Sequence, residues 1–273
     1  MYYLYALAVA AVLAASSAPP VVPDGAPTFK SGQYRLAVKK IDLQSTLDYA
    51  QPSKTRHQIE IDAVIATPEK VDAVAVGKHL EVVSVIGAGG EQLLKPSRSK
   101  ASGTYKADAF SIVHAKTLSA EAVVDRVELI APATQIKTMK LATQVIVAKS
   151  RQTKRLAAVV MEDMVEAAPG LEVRVASLRM SAKRELEVSI EFKRGKNGVG
   201  FPFLEAVYAL DGEGKTLGSG RIGEGDPIGA RGKVTAKFPL ASDEVHRTLK
   251  LVAVTEDRVE PIEFELKGLF MKP

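Results

Sequence analysis

Residues 186–192 read Leu-Glu-Val-Ser-Ile-Glu-Phe, with an apolar side chain at every second position and a polar one between. A repeat of two is the period of a pleated strand with one face in a core and one in water. The same period returns elsewhere. Ile59, Ile61, Ala63 and Ile65 alternate with Glu60, Asp62 and Val64, and Ile262, Phe264 and Leu266 alternate with Glu263, Glu265 and Lys267. Leu36, Val38, Ile41 and Leu43 form a fourth set, broken at Lys39-Lys40. Turn-forming clusters, Gly87-Ala88-Gly89-Gly90 and Asp211-Gly212-Glu213-Gly214, separate such runs. Helical periodicity is scarce, with short helical turns expected near residues 69–76, 115–122 and 161–168. The pattern therefore predicts an all-β chain.

Apolar positions also recur in order along the chain. Leu36, Val38, Ile41 and Leu43 match Val173, Val175, Leu178 and Met180, each 137 residues on. Ile59, Ile61 and Ile65 match Leu186, Val188 and Phe192 at an offset of 127. Val83, Ile86, Gly90 and Leu93 match Val207, Leu210, Gly214 and Leu217 at 124. Val127, Leu129 and Ala131 match Leu249, Leu251 and Ala253 at 122, and Met139 and Leu141 match Ile262 and Phe264 at 123. The drop between the first two blocks places about ten extra residues of the first copy in the loop 45–54. The expectation is two tandem antiparallel β-sandwich domains of immunoglobulin-like type, over residues 34–150 and 151–273, with a polar, basic seam near residues 148–156. Residues 156–160 are read as the first strand of the second copy and 166–170 as a loop.

The N-terminus stands apart. Residues 1–18 carry no charged side chain, and Ala6 to Ala15 form an apolar run of ten. Small residues follow at Ser16, Ser17 and Ala18, and then Pro19-Pro20. This is the pattern of a secretory signal peptide cleaved near Ala14 to Ala18, although its first residues lack Lys and Arg. Retention as a membrane anchor is the alternative, but a span needs about 20 strongly apolar residues. Residues 19–33 are Pro-rich and read as an N-terminal arm. The expected location is periplasmic or secreted, with no transmembrane segment once the signal is removed.

Composition narrows the chemistry. The chain has no Cys, which excludes disulfides, thiolate nucleophiles and Cys-ligated metals, and no Trp, the best flat stacking platform. Val83 to Gly90 resembles a dinucleotide-binding loop, but Pro96 forbids the helix such a loop requires. Ala209 to Thr216 is one residue from a phosphate-binding loop, yet Asp211 and Glu213 would stand where phosphate oxygens must sit. Both segments are read as hairpin turns. Gly218 to Gly223 also has dinucleotide spacing, and is read as a flexible loop because Pro227 follows. His57, His79, His114 and His246 show no metal-ligand spacing and are read as surface residues. Glu187, Glu191, Glu263 and Glu265 are read as solvent-face carboxylates. Asp211, Glu213, Glu224 and Asp226 form at most a weak calcium pattern. No cofactor is expected. Phe201-Pro202-Phe203, the one aromatic cluster, is read as core packing at a strand start.

Charge is unevenly spread. Between Leu129 and Met161 the chain holds Lys137, Lys140, Lys149, Arg151, Lys154 and Arg155 and no acidic residue, whereas residues 243–265 are acidic by comparison. These six cations are the candidate partner-binding residues. The competing reading is a set of strand edges guarded by charge. The function expected is an exported, non-catalytic structural or interaction protein of the cell envelope, binding another envelope protein or an anionic polymer. A glycan-binding accessory module and a hydrolase with dispersed carboxylates are the alternatives. Nucleic acid is not an expected partner, since aromatic residues do not interleave with the cations.

Overall fold

The computed structural model describes residues 22, 24–46, 56–95, 110–113, 117–132, 136–180, 185–195, 202–221, 230–239 and 248–268. The leader read over residues 1–18 lies outside the described residues. The chain is all-β, and among the described residues no helix is long and apolar enough to cross a membrane. The strands are β1 (Thr28–Ser31), β2 (Tyr34–Thr46), β3 (Arg56–Ala66), β4 (Ala73–Gly77), β5 (Glu81–Gly87), β6 (Phe110–Ile112), β7 (Ser119–Leu129) and β8 (Ile136–Ala157). They continue as β9 (Val165–Ala168), β10 (Leu171–Met180), β11 (Glu185–Arg194), β12 (Phe203–Leu210), β13 (Thr216–Arg221), β14 (Arg231–Pro239) and β15 (Thr248–Lys267).

Three antiparallel sheets result. One runs β1-β2-β3-β7, a second β9-β10-β11-β14, and the third β13-β12-β15-β8-β4-β6 with β5 also on β8. The two four-stranded sheets share a register. Leu36 pairs with Ile65 and Ile41 with Ile61, and Val173 pairs with Phe192 and Leu178 with Val188. Each hairpin has a register shift at the same point, between Val38 and Lys40 and between Val175 and Ser177. A bulge of this kind inserts one residue and resets the alternation, which is why the apolar spacing of β2 breaks at Lys39-Lys40. The first hairpin then runs on through Gln44–Gln58, Ser45–His57 and Thr46–Arg56, and the last described pair of the second is Met180–Leu186.

The glycine clusters make two turns of one geometry. The Gly90 amide donates to the Gly87 carbonyl at 3.1 Å and the Gly214 amide to the Asp211 carbonyl at 3.1 Å. Gly90 and Gly214 have φ of 87° and 84°, the left-handed conformation that a three-residue hairpin loop needs in its last position. Asp211 Oδ1 also accepts from the Glu213 and Lys215 amides at 2.9 and 2.7 Å, so the carboxylate holds its own turn.

Two strands dominate. β8 has 22 residues and β15 has 20, and they pair along nearly their whole length, from Thr248 opposite Ala157 to Lys267 opposite Thr138. The register repeats at a shift of 110 residues: Met139 faces Leu266, and Leu249 faces Leu156. Each end of this ribbon underlies a different core. Met139, Leu141, Val145 and Val147 from β8 and Ile262, Phe264 and Leu266 from β15 share a buried cluster with Leu36, Ile59, Ile61 and Ile65 of the first four-stranded sheet. At the other end Leu156, Leu249, Leu251 and Ala253 join Val173, Val175, Val188, Ile190 and Phe192 of the second. The last strand of the chain thus completes the core of its first half.

Several local expectations give way to these pairings. The second half of each helical turn expected near 69–76, 115–122 and 161–168 is strand in β4, β7 and β9, because Val145 and Val147 of β8, strand β3 and strand β10 supply ladders for them. The residues of the seam read near 148–156 belong to β8, held against β15. Val159 and Val160, read as strand, lie exposed beyond the end of β8, while residues 166–168, read as loop, are in β9. Gly218 to Arg221, read as a loop, pair with Ala206 to Ala209 as part of β13. The end of the Pro-rich arm forms β1, turned onto β2 by Gly32 at φ 57°.

Candidate interaction surface

All six candidate cations lie on β8. Strand rise sets their spread: from Lys137 to Arg155 is eighteen steps of about 3.3 Å, or about 60 Å. They do not form one patch. Lys137 and Lys140 are exposed at one end of the strand and project from opposite faces of it. Lys140 stands opposite Glu265, whose carboxyl is held below the usual range by Lys267 first and by Lys140 in addition. Lys149, Lys154 and Arg155 are exposed near the other end.

Arg151 has a different role. Its guanidinium is shared between two carboxylates from distant parts of the chain. Nη2 reaches Asp72 Oδ1 at 2.7 Å and Glu205 Oε1 at 3.1 Å, Nε reaches Glu205 Oε2 at 2.5 Å, and Nη1 donates to Asp72 Oδ2. These two partners hold the guanidinium protonated well beyond its ordinary range. Asp72 immediately precedes β4, and its carbonyl accepts from the Ala148 amide at 2.9 Å. Glu205 sits at the register shift of β12, between Leu204 and Ala206, and is only 8% exposed. A small apolar cluster of Val74, Ala75, Ile146, Ala148, Phe203 and Val254 occupies this same crossing point of the two halves. Arg151 is therefore a junction residue whose charge is neutralised within the chain. Spacing in the sequence could not pair it with Asp72 and Glu205. One signal was present: Glu205 is the only charged residue in the strand sequence Phe-Leu-Glu-Ala-Val-Tyr-Ala-Leu.

Beyond the junction, β8 becomes an edge. Residues 136–142 pair with β5 and residues 145–147 with β4, but over 149–157 the described partner is β15 alone. Arg151 to Arg155 are five consecutive exposed residues.

Other candidates from the sequence are placed as follows. Glu187 lies 3.9 Å from Lys237, Glu191 2.7 Å from Arg174 and Glu265 2.8 Å from Lys267, each at the solvent face of a sheet, and Glu263 is exposed. His79 Nδ1 contacts Asp125 at 2.5 Å with its side chain half exposed, and His57 Nδ1 contacts Ser45 Oγ at 2.8 Å. His114, His246, Glu224, Asp226 and Phe201 lie outside the described residues, and Phe203 is fully buried at the start of β12. Among the described residues no three His, Asp or Glu side chains are grouped to hold a metal ion. Two shallow hollows mark the sheet faces. One, of about 480 Å³, is lined by Glu60, Asp62, Asp125 and Arg126 with Arg126 bonded to Glu60 at 3.1 Å. The other, of about 330 Å³, is lined by Met164, Glu191, Phe192 and Arg231.

No protein-family model matches the chain, and no curated protein is similar to it by sequence. Among solved structures, a chain described as "Structure of infectious bursal disease virus Gx strain" aligns over 96% of this chain and 76% of its own length, at 8% identity and a TM-score of 0.20. A score that low does not relate the two folds.

Proposed function

We propose that this chain is an exported, non-catalytic structural or interaction protein of the cell envelope, built as two tandem immunoglobulin-like β-sandwiches from a duplicated unit. Its partner is another protein or an anionic polymer, met through the charged β surfaces. The observation that carries this reading is the β8–β15 ribbon. Nineteen residue pairs run without a linker from one core to the other, and a ladder of that length makes the two lobes one stiff body suited to spacing or scaffolding. The duplication is supported by the matching registers of β2–β3 and β10–β11, their matching bulges, and the two like turns at Gly90 and Gly214. It is supported further by the pairs Met139–Leu266 and Leu249–Leu156, which place the last strands of the copies 110 residues apart. That offset replaces 122 and 123 for the final two sequence blocks, which align strands with different neighbours. The carboxylates engaged with Lys and Arg across the sheet faces favour this reading over a hydrolase with dispersed acids.

Cell fractionation with sequencing of the mature N-terminus tests the export. The expected result is a periplasmic or secreted chain cut between Ala14 and Pro19, and a cytoplasmic chain with an intact leader would overturn it. Partner recovery from envelope extract, with Lys149, Lys154 and Arg155 reversed to Glu, tests the charged surface. Recovery unchanged by the reversal would remove the electrostatic part.

A further inference from the structure

The ribbon has a second consequence. β15 pairs with β8 throughout, but on its other side β12 covers only residues 203–210 against 248–254. Over 256–267 its outer edge has no paired strand among the described residues. Besides its outer strands β13, β6 and β5, the sheet thus has two stretches without a paired strand among the described residues, at opposite ends and on opposite sides of the ribbon: β8 over 149–157 and β15 over 256–267. The end strands of the facing sheets, β9 and β1, approach these edges without a backbone hydrogen bond to them among the described residues. Each edge is roughly 30–40 Å long at the rise of a strand.

Their charges are opposite. The β8 edge carries Lys149, Arg151, Lys154 and Arg155 and no acid. The β15 edge carries Glu256, Asp257, Glu260, Glu263 and Glu265 against Arg258 and Lys267. Arg151 is bound at the junction and Glu260 is bound by Tyr34 and Arg258, so the outward signs rest mainly on Lys149, Lys154 and Arg155 and on Glu256 and Glu263.

We propose that these edges recognise each other between copies of the chain, the basic β8 edge of one molecule lying along the acidic β15 edge of the next. This rests on the reading of the surface as an interaction surface and names a second copy as its partner. Symmetry decides the form of the assembly. A two-fold dimer through either edge would set like charge against like, whereas β8 against β15 sets opposite charges together. That contact is heterologous. Each added molecule brings one further edge of each sign, so the product grows head to tail, as a closed ring or an open string according to the rotation between neighbours.

The test is sedimentation of the full mature chain over a range of concentrations, at about 20 mM and about 500 mM salt. At low salt the average mass should rise with concentration, and the association constant should fall at least about tenfold at high salt. Two variants, K149E/K154E and E256K/E263K, should each be monomeric with unchanged circular dichroism. Mixed in equal amounts they should associate again, because one then has two acidic edges and the other two basic ones. A misfolded variant could not be rescued in this way. A wild-type chain that stays monomeric at low salt, or variants that fail to restore association on mixing, overturns the proposal. If that monomer still recovers an envelope partner through Lys149 and Lys154, the proposed function survives and only self-recognition is lost.

Discussion

Replacing Arg151 by Ala removes the one cation that joins Asp72 to Glu205. Removing one partner of a buried ion pair costs about 3–5 kcal/mol, because the other charge stays buried and uncompensated. An exposed pair contributes about 0–1 kcal/mol. Here the site is mixed: the Glu205 side chain is 10% exposed, Arg151 31% and Asp72 56%. The Glu205 half belongs near the lower end of the buried range, eased by water entering the vacated space, and the Asp72 half adds little. The expected loss is about 2–3 kcal/mol. For a chain of this size that corresponds to a fall in Tm of about 5–10 °C. Calorimetry and urea unfolding at neutral pH measure it. The double variant R151M/E205L removes both charges and should return to within about 1 kcal/mol of wild type, since apolar groups of similar volume commonly replace a buried pair at little cost. A loss below about 0.5 kcal/mol for Arg151→Ala, with no recovery in the double variant, would refute the assignment of Arg151 as the junction residue and leave it one more surface cation.

Two further outcomes follow from the ribbon. Phe264 is fully buried among residues of the first core although it lies near the C-terminus, so Phe264→Ala should cost about 3–5 kcal/mol. Hydrogen exchange should accelerate first in β2 and β3, and acceleration confined to β10 and β11 would contradict the shared-core arrangement. Tyr34 is buried and donates its phenol to Glu260, and burial foremost, with that carboxylate, raises its pKa above the ordinary value. A group whose folded pKa is raised favours its protonated form in the fold, so its contribution is complete below about pH 10 and declines as pH rises further. Urea midpoints from about pH 9 to 11 should fall less steeply for Tyr34→Phe than for wild type, and parallel slopes would show that Tyr34 does not couple to folding.

The candidate surface was half legible in the chain. The acid-free run from Lys137 to Arg155 could be read directly, because charge is a property of residues one by one. Its meaning could not. Arg151 is engaged within the chain because Asp72 and Glu205, 79 and 54 residues away, are brought beside it by β4 and β12. Lys149, Lys154 and Arg155 turn outward because no described strand other than β15 pairs with their stretch of β8. The last two repeat blocks show a related limit. Short alternating apolar runs match one another wherever they occur, so β7 could be matched to β15 in sequence although their neighbours differ.

What the sequence determined by itself was local: period two made strands, the glycines at 90 and 214 made turns because their backbones must turn left-handed, and the break at Lys39-Lys40 marked a bulge. Tertiary structure alone decided that residues 148–156 would be strand. A polar, basic stretch has no reason within itself to be extended. It becomes extended because β15, made buried and regular by Leu249, Leu251 and Ala253, offers a row of backbone donors and acceptors that the stretch satisfies. Hydrogen bonds between segments a hundred residues apart are set by the whole fold, and the same long-range pairing leaves a basic stretch of β8 and an acidic stretch of β15 each without a second paired strand among the described residues.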